Sequence, residues 1–198
     1  MNALLLAFLL WQQAAFDLPA ALEKIRNWDH GQNREPLTTI SEHVRASIAD
    51  PARTAAIEKQ FAAFLGSTAT LAAKDVVIRE LSLIGTDVSV PVLARMMDDP
   101  ATFNMALYGL ERIPGAKVNE VLRAALPKRA GKERIGIINS LGARRDAQAA
   151  ALLRPFLKDK DPATVIAAAA ALGQIGDARA FDMRSFKPGD PGYFAICE

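Results

Sequence analysis

The chain has 198 residues, 51% hydrophobic and only 7% aromatic, with 24 basic and 22 acidic side chains for a formal net charge of +2. That length suits one domain with a continuous core, and acids and bases mixed in pairs such as Glu58-Lys59 and Arg79-Glu80 read as solvated helix faces, against a nucleic-acid surface. One cysteine, Cys197, and two histidines, His30 and His43, exclude an intrachain disulfide and leave no spacing for zinc or haem, so neither a metal nor another cofactor is expected.

Residues 3–11 form an unbroken apolar run followed by Gln12-Gln13 and the small pair Ala14-Ala15. The run is too short for a stable membrane span, which needs about 20 residues. It fits the apolar core of a secretory signal peptide over residues 1–15, with a mature, exported chain (periplasmic or secreted) starting near Phe16. No Lys or Arg precedes Lys24, and Gln13 suits cleavage poorly. The competing reading is a first helix of the folded domain.

Asp17 can cap a helix reaching Trp28, with Leu18, Leu22, Ile25 and Trp28 on one stripe. Residues 29–34, Asp-His-Gly-Gln-Asn-Arg, break that period. Their polar cluster is the one place where a site can be drawn from residue types, with His30 as base or ligand. The favoured reading is a surface turn whose Asp and Asn bond their own backbone. Two amphipathic helices follow, with Leu37, Ile40, Val44 and Ile48 on one and Ile57, Phe61, Phe64 and Leu65 on the other. Residues 16–65 thus read as N-terminal capping helices with a degenerate first repeat, and His43 falls on the polar side of its helix.

From residue 66 the text repeats. Leu81, Leu110, Leu141 and Leu172 are 29, 31 and 31 residues apart, and Leu93, Leu122 and Leu153 follow in a second register. A period near thirty marks a solenoid, whose units cannot bury their apolar faces alone. Each period divides into two helices around a turn, as at Gly142 to Asp146. Gly85, Gly115 and Gly176 sit where a left-handed residue closes a helix, and Arg145 departs from that pattern. Asp50-Pro51, Asp99-Pro100 and Asp161-Pro162 are helix starts. The expected fold is all-α, a right-handed α-solenoid of about five to six helix pairs with no sheet, its repeats spanning residues 66–180.

Residues 161–177 read Asp-Pro-x-x-x-x-Ala-Ala-x-x-Ala-Leu-Gly-x-Ile-Gly-Asp. This resembles the short, alanine-rich HEAT repeats, including those of phycobilisome-lyase type and of exported bacterial HEAT-repeat domain proteins. The resemblance is strong over residues 70–180 and weaker over 36–65. Pro155 resembles the proline that kinks the other helix of these repeats. The resemblance implies a superhelix that binds partners and brings no catalytic residues. HEAT-repeat metal hydroxylases hold iron with His-Glu pairs, whereas Glu42-His43 runs in the opposite order. Related repeats in phycobilin lyases and DNA glycosylases leave an enzyme or chaperone as the alternative.

Aligned on their leucines, the repeated helices place seven, six and two residues earlier the sets Lys74, Asp75, Arg79; Phe103, Asn104, Tyr108; Arg134, Ile135, Asn139; and Val165, Ile166, Ala170. In solenoids such helices line the concave side. The candidate partner-binding stripe is Lys74, Asp75, Arg79, Phe103, Asn104, Tyr108, Arg134 and Asn139. Phe103 and Tyr108 either centre an interface or fill a gap between repeats. With one carboxylate, Asp75, and no histidine, cysteine or serine, the stripe offers little for acid-base or nucleophilic chemistry, which favours a non-catalytic scaffold for a protein or peptide. The tail, residues 181–198, abandons the repeat but is rich in aromatics. It is expected to cover an apolar C-terminal end at Val165, Ile166 and Ala170, with a second copy or further repeats as the other candidates.

Overall fold

The computed structural model describes residues 16–181; the expected signal peptide and the tail beyond residue 181 lie outside the described residues. Helices run in the order α1 Leu18–Ile25, α2 Glu35–Ser47, α3 Pro51–Leu65, α4 Leu71–Ile84, α5 Val90–Met96, α6 Phe103–Arg112, α7 Ala116–Ala125, α8 Gly131–Ala143, α9 Ala150–Leu153 and α10 Pro162–Ile175. Among the described residues there is no strand. From α1 to α8, each helix apart from α7 packs on the next but one. Thus α2, α4, α6, α8 and α10 form one layer and α1, α3, α5 and α7 the other. The protein is an all-α solenoid.

The period locates the core. Leu81, Leu110, Leu141 and Leu172 in one layer and Leu93, Leu122 and Leu153 in the other are all fully buried, in a single apolar cluster running from Leu18 to Leu172. Successive helices of the α4–α10 layer close up at glycines. A Cβ on Gly109 of α6 would lie 2.9 Å from Ile78 of α4, and one on Gly142 of α8 would lie 2.6 Å from the Ala171 Cα of α10. This is the layer that the sequence reading places on the concave side, and it is called the inner layer below.

Helix ends follow the sequence signals except at Asp99-Pro100, Gly85 and Gly115. The carboxylates of Asp17, Asp50 and Asp161 accept from the N–H groups of Ala20, of Ala52 and Arg53, and of Ala163, each followed within two residues by a proline whose missing N–H needs no partner. Asp99-Pro100 instead opens a turn, and α6 starts only at Phe103. Pro155 ends α9 as an α-helix, and the chain continues as the 3₁₀ stretch Arg154–Lys158. Of the three glycines expected to close helices, only Gly176 is left-handed, at φ 80° and ψ 30°; Gly115 instead precedes α7 as its N-cap, at φ 110° and ψ 159°, a conformation open to glycine, and Ile113 ends α6. Gly85 is not left-handed either: its φ of −64° suits any residue, and it is glycine for lack of room, since a Cβ would lie 2.8 Å from Cγ1 of Ile113. Arg145 takes the left-handed conformation itself, at φ 51°, which costs roughly 1–2 kcal/mol in a residue with a Cβ.

The solvated reading of Glu58 and Glu80 is corrected by their burial, to 1% and 8% exposure. Glu58 accepts from the N–H groups of Thr86 and Ser89, at 2.7 and 3.1 Å, and from both their hydroxyls at 2.8 Å. It caps the start of α5 from the preceding repeat, where a negative charge also meets the positive end of the helix dipole. Glu80 accepts from the hydroxyl of Ser41 on α2. Sequence position alone does not reveal these donors, which lie 28 to 39 residues away.

Leu110→Ala and Leu141→Ala are each expected to destabilise the fold by roughly 2–5 kcal/mol through lost burial and the cavity left behind. Leu83→Ala, at a side chain 55% exposed, is expected to stay within about 0.5 kcal/mol of the parent. Urea denaturation checks all three, and an unchanged midpoint for both core variants would overturn the register.

Candidate functional site

The inner layer divides the stripe. Arg79, Asn104 and Asn139 are exposed, and Lys74, Asp75, Tyr108 and Arg134 are half-buried. Phe103, a candidate on sequence grounds, is only 1% exposed and is removed from the binding stripe. The position seven before each leucine turns toward the following helix, so its ring reaches within 3.9 Å of where a Cβ on Gly136 of α8 would be. It fills the gap between repeats. Of the apolar continuation, Val165 is buried to 2%, whereas Ile166 is 52% exposed and Ala170 is also exposed.

Tyr108 gathers the cluster that remains. The guanidinium of Arg112 lies 3.7 Å from its ring centroid and that of Arg79 lies 5.4 Å away, so the electron-rich ring attracts a cation from its own helix and another from α4. Arg79 is oriented by Asp75, one turn back, through a 2.8 Å ion pair, and Arg112 donates to the Tyr108 carbonyl at 3.2 Å. Arg112 was missed by an alignment that looked only before each leucine. The signal that could have found it is its place four residues after Tyr108, on the same helix face.

The other basic members of the stripe face elsewhere. Arg134 donates from Nε to the Arg129 carbonyl at 2.8 Å, lies 3.4 Å from Asp159 and sits over the Phe156 ring, tying the start of α8 to the turn before α10. Lys74 lines a crevice of about 350 Å³ with Arg95, Asp99 and Thr102 at the turn edge. Neither joins Tyr108.

The two histidines are structural in their surroundings. In residues 29–34 the Asp29 carboxylate accepts from the His30 N–H, the Asn33 amide oxygen Oδ1 accepts from the Glu35 N–H, and the Trp28 indole donates to the Asn33 carbonyl at 3.0 Å, the self-bonded turn that the residue types suggested. His43 is not on a polar face. It is half-buried with its ring centroid 4.4 Å from that of Phe16, and burial, then the nearby Arg53 charge, hold its pKa below the usual histidine range. Among the described residues, no three His, Cys, Asp or Glu side chains converge as a metal site, and no helix is long and apolar enough to cross a membrane.

What holds α6, and with it Tyr108, in place comes from the next repeat. Arg144 follows α8 and donates to the carbonyls of Glu111, Ile113 and Gly115 at 2.8, 2.7 and 2.8 Å, to that of Leu110 at 3.3 Å, and to the side chain of Asn119. Those carbonyls end α6, where unpaired acceptors and the negative end of the dipole both favour a cation. Burial lowers the pKa of Arg144 despite Asp146 and Glu111 nearby. Further along, Arg123 pairs with Asp146 at 2.5 Å and Arg154 with Asp177 at 2.6 Å, each pair 23 residues apart. The hydrogen bond from Arg154 keeps the Asp177 carboxyl below the ordinary carboxylate range.

Residues 119–183 match the family model of HEAT repeats, about a third of the chain, from within α7 to beyond α10. No curated protein matches the chain.

Arg144→Leu leaves the last carbonyls of α6 without their charged donor and is expected to destabilise the fold by roughly 1.5–3 kcal/mol. Arg144→Lys restores little of this, because an ammonium cannot reproduce the planar fork. Denaturation of both variants checks this, with faster amide exchange expected around Ile113; a parental midpoint for Arg144→Leu would contradict it.

Proposed function

We propose that the protein is a non-catalytic scaffold that holds a protein or peptide partner against its inner layer, with Tyr108, Arg79 and Arg112 at the centre of the contact. HEAT repeats generally serve in protein interaction, and the match over residues 119–183 supports that class of role here. The observation that carries the site is the half-buried Tyr108 ring held beside two guanidiniums on the inner face. Tyrosine and arginine are enriched where binding energy concentrates, and a ring already fixed by cations loses little freedom on binding. Exposed Ile166 and Ala170 continue the surface as an apolar floor. The non-catalytic reading rests on Asp75, the carboxylate of this stripe, being engaged by Arg79. Export is part of the same proposal, and is supported by the apolar run at residues 3–11 with Ala14-Ala15 after it.

The test is affinity capture from the native source with mass spectrometry, comparing the parent with Arg79→Ala, Tyr108→Ala and the outer-layer control Glu120→Ala. A partner retained by the parent and the control is expected to bind about tenfold or more weakly to Tyr108→Ala, a loss of roughly 1.4 kcal/mol or more. Retention by both inner-face variants, with loss in the outer-layer control, would move the binding surface to the other side.

A further inference from the structure

The layer of α1, α3, α5 and α7, opposite the inner one, is grooved where successive helices run side by side. Crevices of about 330, 350 and 250 Å³ follow one another between α1 and α3, between α3 and α5, and between α5 and α7. The second is walled by Leu65 of α3 with Val92 and Met96 of α5, and the third by Met97, just after α5, with Val121 and Ala125 of α7. Both lie at the edge where α5 and α7 end and α6 and α8 begin. Charge at that edge is unequal. Arg95 lines both crevices, Lys74 joins it in one, and Lys128 and Arg129 join it in the other, against the carboxylates of Asp98 and Asp99. The two acids are engaged, Asp98 by Arg129 at 2.7 Å and Asp99 by the N–H of Ala101 at 2.9 Å. Ion pairs here use Arg129 and Arg134, which leaves Lys74, Arg95 and Lys128 unpaired among the described residues. Arg95 and Lys128 are exposed and Lys74 is half-buried.

We propose that the two crevices on either side of Arg95 form a second interaction surface, which takes an extended acidic segment of a protein partner. Its apolar side chains enter the crevices and its carboxylates meet Lys74, Arg95 and Lys128. The cations steer and orient the segment, and the apolar walls supply the burial that holds it. Neighbouring helices of a layer lie about 8–10 Å apart. A polyproline-II chain brings every third side chain to the same side, about 9 Å further on, so apolar residues spaced by three fit successive crevices. A single-stranded nucleic acid is a poorer match, because neither crevice is lined by an aromatic ring on which a base could stack. A bilayer surface would meet the rim cations and leave the recessed apolar walls uncovered. The surface shares no residue with the contact at Tyr108, Arg79 and Arg112 and does not depend on it.

Fluorescence anisotropy of the full chain with the labelled peptide Glu-Leu-Glu-Glu-Leu-Glu-Glu-Leu-Glu tests this. Saturable binding is expected, weakened about tenfold or more by Arg95→Glu, and equally by Lys74→Ala combined with Lys128→Ala, with Arg95→Lys keeping most of the affinity. Replacing the peptide's glutamates with glutamine, or its leucines with serine, is expected to weaken binding to a similar degree. Arg45→Ala, which removes an exposed cation from α2, and Tyr108→Ala are expected to bind as the parent does, so failure of the inner-face reading leaves this one standing, and the reverse. No saturable binding by the parent, equal binding of the glutamine peptide, or parental affinity in Arg95→Glu would overturn the proposal. So would tighter binding of single-stranded oligothymidine or of phosphatidylserine vesicles that Arg95→Glu abolishes, since either would give the edge to another class of partner.

Discussion

Every unit of this protein relies on its neighbours to cover its leucines, because two helices of four to fifteen residues cannot enclose a core by themselves. Leu110 is fully buried only because α4 and α8 lie on either side of α6. The close approach that makes this possible depends on missing side chains: Gly109 admits Ile78, Gly136 admits Leu107, and Gly142 admits the backbone of Ala171. These contacts fall in one layer, the α4–α10 layer, where the helices approach most closely. The face proposed for a partner is in this way tied to how the core is closed.

Burial by stacking creates a second requirement, since helix ends brought between repeats need partners for their polar groups. The chain meets it across repeats. Glu58 on α3 caps the start of α5, Arg144 after α8 closes the end of α6, and Arg123–Asp146 and Arg154–Asp177 join successive turns. The same bonds that satisfy buried groups hold neighbouring units in register, and Arg144 does so directly beneath the helix that carries Tyr108 and Arg112.

The repeat was legible because a leucine every thirty residues can be counted, and each of the seven counted leucines is buried. The stripe was only half legible. Positions seven and two before the leucine are both on the flank of the helix, but the former turns toward the next unit and the latter outward, which is why Phe103 is core and Tyr108 is surface. That distinction depends on where the next helix lies, a property of the stack and not of one helix. The same limit explains Glu58 and Glu80, acids beside bases in the text whose donors arrive from other repeats, and His43, which lost its polar setting to Phe16. Gly85 shows the reverse: the residue was singled out correctly, and its reason was Ile113 rather than a left-handed backbone.

The central claim is that stability and site geometry pass from each unit to the next. Native-state amide exchange, compared between the parent and Leu141→Ala, tests it most directly, since local opening reports on each helix separately. Neighbour-to-neighbour stacking predicts faster exchange in α8 and in the flanking α6 and α10, fading to little or no change in α2 and α3. An equal change in every helix from α1 to α10, or one confined to α8 alone, would contradict it.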